Sequence, residues 1–199
     1  MMGFGGQREN CAVFHGTSIT LGVRSGVTAA QALPNLVGIS KSYVPSINSG
    51  IGSNTSTQML TRFESDCLAY GPSMVSIEAG HNDPGASINT ATYSANITEM
   101  VRKAKITGAR VTLWVPIYAQ DGTLNSNIAP YRTVMRNLAT FLSCDLFDLY
   151  DDIVALDAST QNSYYTEAPG SGQHLSAAGL AWASGKVGTG AYANSFLSA

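Results

Sequence analysis

Short apolar runs alternate with longer amphipathic stretches along most of this chain, and no other feature restricts its fold as strongly. The runs are Cys11-Ala12-Val13-Phe14, a segment at Tyr43 to Ile47, Met74-Val75-Ser76-Ile77 within Ser73 to Ala79, Arg110 to Ile117, and Asp145 to Leu149. Each has the length of a strand. Between them, apolar residues recur at helical spacing. One stripe is Met59, Leu60, Phe63, Cys67 and Leu68; a second is Tyr93, Ile97, Met100, Val101 and Ala104; a third runs from Ile128 through Tyr131, Met135 and Leu138 to Leu142. Thr55 or Ser56 is placed to cap the first, Gly71-Pro72 to stop it, and Gly108 to close the second. A short helix is expected at Thr28 to Leu33, ended by Pro34. Another is expected near Asp151 to Leu156, then a polar loop to Gly172 and a final helix after His174.

Strand and helix in regular alternation predict a parallel sheet whose right-handed crossovers cover both faces. The fold expected is a three-layer α/β/α sandwich with five strands. No linker or repeat divides residues 1–199, so one domain is expected. In such sheets ligands bind outside the carboxyl ends of the strands. The loops after the first three strands therefore share one edge. They carry Ser18, the Gly50 to Asn54 segment, and His81 to Asp83.

Composition narrows the function classes. Charged residues make up only 12% and the net charge is -2, which gives no reason to expect a nucleic acid or an anionic membrane as partner. The basic cluster Arg102, Lys103, Lys105 and Arg110 falls near a helix end, where it complements the helix dipole. A polar surface built from Ser, Thr, Asn and Gly is common in secreted and virion-surface proteins. No signal peptide is visible in the Gly-rich Met1 to Glu9, and no run has the length of a membrane span. Cys11 and Cys144 lie in or beside apolar strand-like runs and Cys67 at a core-facing helical spacing, and all three are expected as buried thiols. No Cys-x-x-Cys or His/Cys cluster suggests a metal, and no phosphate-binding glycine loop suggests a cofactor.

Acyl transfer requires a nucleophile, a base, an orienter for the base, and donors for the developing oxyanion. Ser18, in the turn after Gly16, suits the first. Three histidines are candidates for the second. His15 lies within or beside the first strand and is expected to pack structurally. His81 stands in the third loop beside Asn82. His174 precedes the last helix and is placed to reach back across the strand ends. Asn82 can donate its side-chain amide, and Gly52 or Ser53 a backbone N–H.

Together, Gly16-Thr17-Ser18-Ile19-Thr20, the Asn48 to Thr55 loop, Gly80-His81-Asn82-Asp83, and His174 with Leu175-Ser176-Ala177-Ala178-Gly179 resemble the four signature blocks of the SGNH (GDSL-type) hydrolases. The resemblance spans about residues 10 to 187. It implies a flavodoxin-like sheet and a serine esterase, lipase or carbohydrate deacetylase without cofactor. Ser18 would be the nucleophile and His174 the base. The oxyanion hole would comprise the Ser18 N–H, a Gly52 or Ser53 N–H, and Asn82. The substrate would be a small-molecule or glycan ester, with short acyl or O-acetyl groups preferred because no long apolar insertion suggests a lid.

The sequence departs from that pattern where the family places Asp before the serine, here Thr17, and Asp three residues before the histidine, here Ser171. The second departure leads to the expectation that Ser171 or a backbone carbonyl orients His174. It also motivates an alternative function, a catalytically weak or silent carbohydrate-binding module on the same fold.

Overall fold

The computed structural model describes residues 10–197. The segment Met1 to Glu9, in which no signal peptide is visible, lies outside the described residues. Five parallel strands form one sheet among the described residues: β1 (Ala12–Gly16), β2 (Ser46–Gly50), β3 (Met74–Glu78), β4 (Arg110–Trp114) and β5 (Asp145–Phe147). Their order is β2-β1-β3-β4-β5, the flavodoxin-like arrangement. The switch point lies between β1 and β3, so the loops after these two strands bound the crevice where such sheets bind ligands.

Period-two alternation sends successive strand residues to opposite faces. Val13, Val75, Ile77, Val111 and Leu113 face one core. Ala12, Phe14, Met74, Trp114 and Phe147 face the other. The helices in chain order are α1 (Ser18–Leu21), α2 (Leu33–Ser40), α3 (Ser56–Thr61), α4 (Phe63–Asp66), α5 (Thr90–Ile106), α6 (Gly122–Phe141), α7 (Tyr150–Val154), α8 (Ala158–Ser163) and α9 (Ala177–Lys186). Met59, Phe63, Tyr93, Ile97, Met100 and Met135 from α3 to α6 fill the first core. Leu33, Val37, Leu180 and Ala183 from α2 and α9, with Phe196, fill the second.

Several boundaries differ from the sequence expectation for identifiable reasons. Pro34 begins a helix instead of ending one: it sits in the first turn of α2, where its missing N–H has no intrahelical partner to lose. The strand expected at Tyr43 to Ile47 lies three residues later. It is an edge strand rich in Ser and Asn, so hydrophobicity marks it poorly. The helix bearing Met59 to Leu68 is broken into α3, α4 and a 3-10 turn at Leu68–Tyr70; Thr55 caps its start in a capping box with Gln58. Helix α6 begins earlier than its apolar stripe because Asp121 caps the Leu124 N–H at 2.8 Å, and it accommodates Pro130 within its length. Helix α8 occupies part of the expected polar loop, capped by Asp157.

Cys11 and Cys67 are buried and Cys144 half-buried. The basic residues near the end of α5 are engaged locally: Arg102 with Glu99, Lys103 with Glu64, Lys105 with the carbonyls of Leu142 and Ser143, and Arg110 with Asp145. No helix among the described residues is long and apolar enough to cross a membrane.

Candidate active site

The site begins at the tight turn that follows β1. Gly16 allows the turn to fold onto the sheet end. A Cβ there would stand 2.0 Å from Thr20 Oγ1, closer than atoms can pack, and a tight 3.0 Å from Glu78 Oε2. Gly50 at the end of β2 is constrained alike, since its Cβ would meet the Leu21 nitrogen at 2.2 Å. Thr17 then caps α1, its hydroxyl oxygen accepting the Ile19 N–H at 3.3 Å. Ser18 is thereby presented at the first position of that helix.

Beneath the turn lies Glu78, the last residue of β3 and fully buried. Its Oε2 accepts the Thr17 N–H at 3.0 Å, the Thr17 hydroxyl at 2.7 Å and the Thr20 hydroxyl at 3.2 Å. Burial opposes its ionisation, but the neighbouring His81 and the Thr17 donors outweigh that and hold the carboxyl below its ordinary value. Glu78 is thus a fixed anion that ties the Ser18 turn to β3. Thr17, where the family pattern has aspartate, is its hydrogen-bond donor.

The Ser18 hydroxyl lies 2.9 Å from His174 Nε2. His174 is delivered by a short antiparallel reversal: Tyr165 bridges Leu175, and the Thr166 N–H donates to the His174 carbonyl at 2.9 Å. That pairing folds residues 167–173 back on themselves and brings Glu167 against the imidazole. Its Oε1 hydrogen-bonds His174 Nδ1, and its Oε2 accepts the Gln173 and His174 N–H groups, both at 3.1 Å.

This arrangement corrects the expectation for the orienter. The Ser171 hydroxyl donates to the Ala168 carbonyl at 2.8 Å and belongs to the turn. A carboxylate does stand at Nδ1, seven residues before the histidine instead of three. Burial works against the charge of Glu167, but the His174 ring and the two backbone donors hold its carboxyl down at about 2. For His174 burial is the largest influence and lowers its pKa; Glu167 pulls it upward, and the charge of Arg24 adds to the lowering, so the net shift is downward. Its neutral, proton-accepting form is therefore favoured over more of the pH range.

The candidate donors stand on the neighbouring loops. A turn closed by the Asn54 N–H on the Ile51 carbonyl, at 3.3 Å, leaves the N–H groups of Gly52 and Ser53 out of that bond. Ser53 adopts a left-handed conformation, φ 61°, which is strained for a residue with a side chain and typical of functional loops. Asn82 donates one amide N–H to the Asn54 carbonyl at 2.8 Å, which orients its Nδ2 and leaves the second N–H available. Arg62 braces this side. It donates to Asn54 Oδ1 at 2.8 Å, to the Gly16 carbonyl at 2.9 Å, and to the Ser49 carbonyl and hydroxyl at 2.9 Å. One guanidinium thus links the ends of β1 and β2 to the Asn54 loop.

Ser18, Gly52, Ser53, Asn82 and His174 line one cleft of about 320 Å³, together with Ile19, Arg24, His81 and Gln173. His81 is buried in its wall, with Nδ1 3.4 Å from Glu78 Oε1. His15 stays out of it, packed between the Ser49 hydroxyl and the Met59 carbonyl at 3.0 Å each. Glu167, Glu78, Arg62 and Arg24 were not singled out from the sequence. Glu167 carried a usable signal, as it is the only acidic residue after Asp157. Among the described residues no group of three or more His, Cys, Asp or Glu is placed to hold a metal ion. The arrangement sets a hydroxyl, an imidazole and a carboxylate in one hydrogen-bonded line beside a cleft whose lining includes Gly52, Ser53 and Asn82.

Residues 14–182 match the GDSL-like Lipase/Acylhydrolase family. No curated protein matches the sequence. Among solved structures, the chain is similar to a lipolytic protein assigned to the G-D-S-L family from Desulfitobacterium hafniense DCB-2 (TM-score 0.76, 21% identity, 88% of this chain and 96% of that one covered). It is similar also to the lipase/acylhydrolase from Enterococcus faecalis (TM-score 0.74, 23% identity, 88% and 92% covered), and to the acetyl xylan esterase AlAXEase (TM-score 0.69, 21% identity, 88% and 96% covered).

Proposed function

Because the chain belongs to the GDSL-like lipase/acylhydrolase family, a family of carboxylic ester hydrolases, we propose that it hydrolyses short acyl or O-acetyl esters through a Ser18–His174–Glu167 relay. The observation that carries this reading is the unbroken chain from the Ser18 hydroxyl, 2.9 Å from His174 Nε2, through Nδ1 to Glu167. Ser18 Oγ attacks the ester carbonyl carbon as its proton passes to Nε2. The carbonyl oxygen becomes an anion held by the Ser18 N–H, a Gly52 or Ser53 N–H, and Asn82 Nδ2. When the tetrahedral intermediate collapses, the carbon–oxygen bond to the alcohol breaks and Nε2 returns its proton to the leaving oxygen. Water, deprotonated by the same nitrogen, then releases the acid and restores Ser18. Glu167 stabilises the imidazolium in both halves. The binding-module alternative drew on a missing carboxylate and on a surface rich in Ser, Thr and Asn; Glu167 supplies the carboxylate, which favours the hydrolytic reading.

A short acyl group fits the cleft. Its volume of about 320 Å³ lies at the lower end of ligand sites, and among the described residues Ile19 is the one aliphatic side chain in its lining. Likeness to an acetyl xylan esterase agrees with an acetylated sugar as substrate. We expect kcat/KM on 4-nitrophenyl esters to fall at least about tenfold from acetate to octanoate, since the longer chain has no apolar surface to bury. A rise with chain length would contradict the short-acyl assignment, and no turnover of any ester would contradict the esterase reading.

The pH profile follows from His174. Catalysis needs the neutral ring, and burial lowers its pKa from the ordinary 6.5. The acid limb of kcat/KM is therefore expected below pH 6.5, with activity present above it and lost as pH falls. A limb above 6.5 would require a base in a different environment.

A further inference from the structure

We propose that the cleft selects esters whose alcohol half carries a carboxylate, and that Arg24 is the residue that binds it; the proposal rests on the serine-hydrolase reading of Ser18 and His174. Arg24 lines the same cleft as these two residues. Its backbone is fixed by reciprocal hydrogen bonds with Val27, at 3.2 and 2.9 Å, so the side chain projects from a closed turn. Among the described residues the guanidinium has one ionic contact, from Nη1 to Glu167 Oε1 at 3.3 Å.

That contact leaves Arg24 under-used. Glu167 already receives the His174 ring on Oε1 and two backbone N–H groups on Oε2. Arg24 presents five N–H donors in a rigid fork, and among the described residues only Glu167 accepts from its side chain. The side chain is 22% exposed, so its remaining donors are open to water or to a ligand in the cleft. Burial of the charge outweighs the support from Glu167 and lowers its pKa. Among the described residues no other Lys or Arg lines the cleft.

Position identifies which half of the ester meets this cation. Gly52, Ser53 and Asn82 stand on loops joined through Asn54, and the acyl oxygen turns toward them. Arg24 instead stands on the His174 side of the cleft, paired with Glu167. The leaving oxygen must reach His174 Nε2 to collect its proton, so the alcohol half lies on the Arg24 side. A planar carboxylate matches the free edge of the fork. An acetylated acidic sugar has both groups.

The test is equilibrium binding to Ser18→Ala, which separates recognition from turnover. Mono-O-acetyl galacturonate and mono-O-acetyl galactose are titrated by calorimetry into Ser18→Ala, Ser18→Ala/Arg24→Gln and Ser18→Ala/Arg24→Lys. The acid is expected to bind about tenfold more tightly than the neutral sugar to Ser18→Ala, the scale of a charge-assisted hydrogen-bonded pair. That ratio should fall below about twofold in the Gln variant and be partly kept in the Lys variant, which retains the charge without the fork. Equal binding of the two sugars, including no measurable binding of either, would overturn the proposal. So would a preference for the acid that survives Arg24→Gln. Turnover by the chain with Ser18 intact judges the catalytic reading separately: a preference that depends on Arg24 without ester hydrolysis would uphold carboxylate recognition by Arg24 and strike the catalytic reading, and with it the assignment of that carboxylate to a leaving alcohol.

Discussion

Replacing Ser18 by Ala is expected to lower kcat on 4-nitrophenyl acetate by at least about ten-thousandfold, the loss seen when a relay's nucleophile is removed. The oxygen deleted is the one 2.9 Å from His174 Nε2. Without it the ester can react only with water, and the oxyanion donors alone sustain a small residual rate. The fold should not suffer. Glu78 holds the turn through Thr17 and Thr20, not through Ser18, and alanine is a good helix residue at the start of α1. An unchanged melting temperature with activity gone would locate the effect in the chemistry. Retained turnover would remove Ser18 from the mechanism.

The second large effect is expected at Glu167. Glutamine keeps the shape of the side chain but carries no charge, and its amide can donate to Nδ1. That would leave the proton on Nε2, the nitrogen that must accept from Ser18. We expect kcat to fall by about a thousandfold to ten-thousandfold, as for the equivalent carboxylate of other relays. Because Glu167 raises the pKa of His174, its loss should also move the acid limb of the residual activity further toward low pH. Ser171→Ala is the matched control. Its hydroxyl meets only the Ala168 carbonyl, so activity should stay within about twofold, the range of an ordinary surface change. If Ser171→Ala proved the more damaging, the orienter expected from the sequence would be right and the geometry wrong.

The contrast between these two residues shows what was legible in the sequence. The sheet was, because buried parallel strands read as compact apolar runs and crossover helices as stripes. Ser18, Asn82 and His174 were legible for a related reason: each follows a strand or precedes a helix whose end sets its position. Glu167 was not, because it lies in a loop. Its proximity to His174 depends on the Tyr165–Leu175 bridge and the reversal through Pro169 and Gly170, and a reversal between two polar segments leaves no periodic trace.

Glu78 was hidden differently. It ends the apolar run of β3 and looks like the solvated terminus of a strand, yet it is fully buried. Three donors from Thr17 and Thr20 make that burial tolerable. Thr17 looked like the loss of a carboxylate from the nucleophile turn. The carboxylate in fact arrives from the neighbouring strand, and threonine is suited to donate to it. Arg62 was likewise unreadable, since its partners Gly16 and Ser49 lie 46 and 13 residues from it in sequence. Residues that present chemistry at strand ends leave a local pattern, whereas those that brace them across loops do so only in three dimensions.

The most direct test of the Ser18–His174–Glu167 account is to treat the chain with a fluorophosphonate and map the adduct by peptide mass spectrometry. The account predicts one adduct, on Ser18, formed rapidly in the unmodified chain, greatly slowed in Glu167→Gln and absent in Ser18→Ala. An adduct on another residue, or labelling of Ser18 no faster in the unmodified chain than in Glu167→Gln, would contradict it.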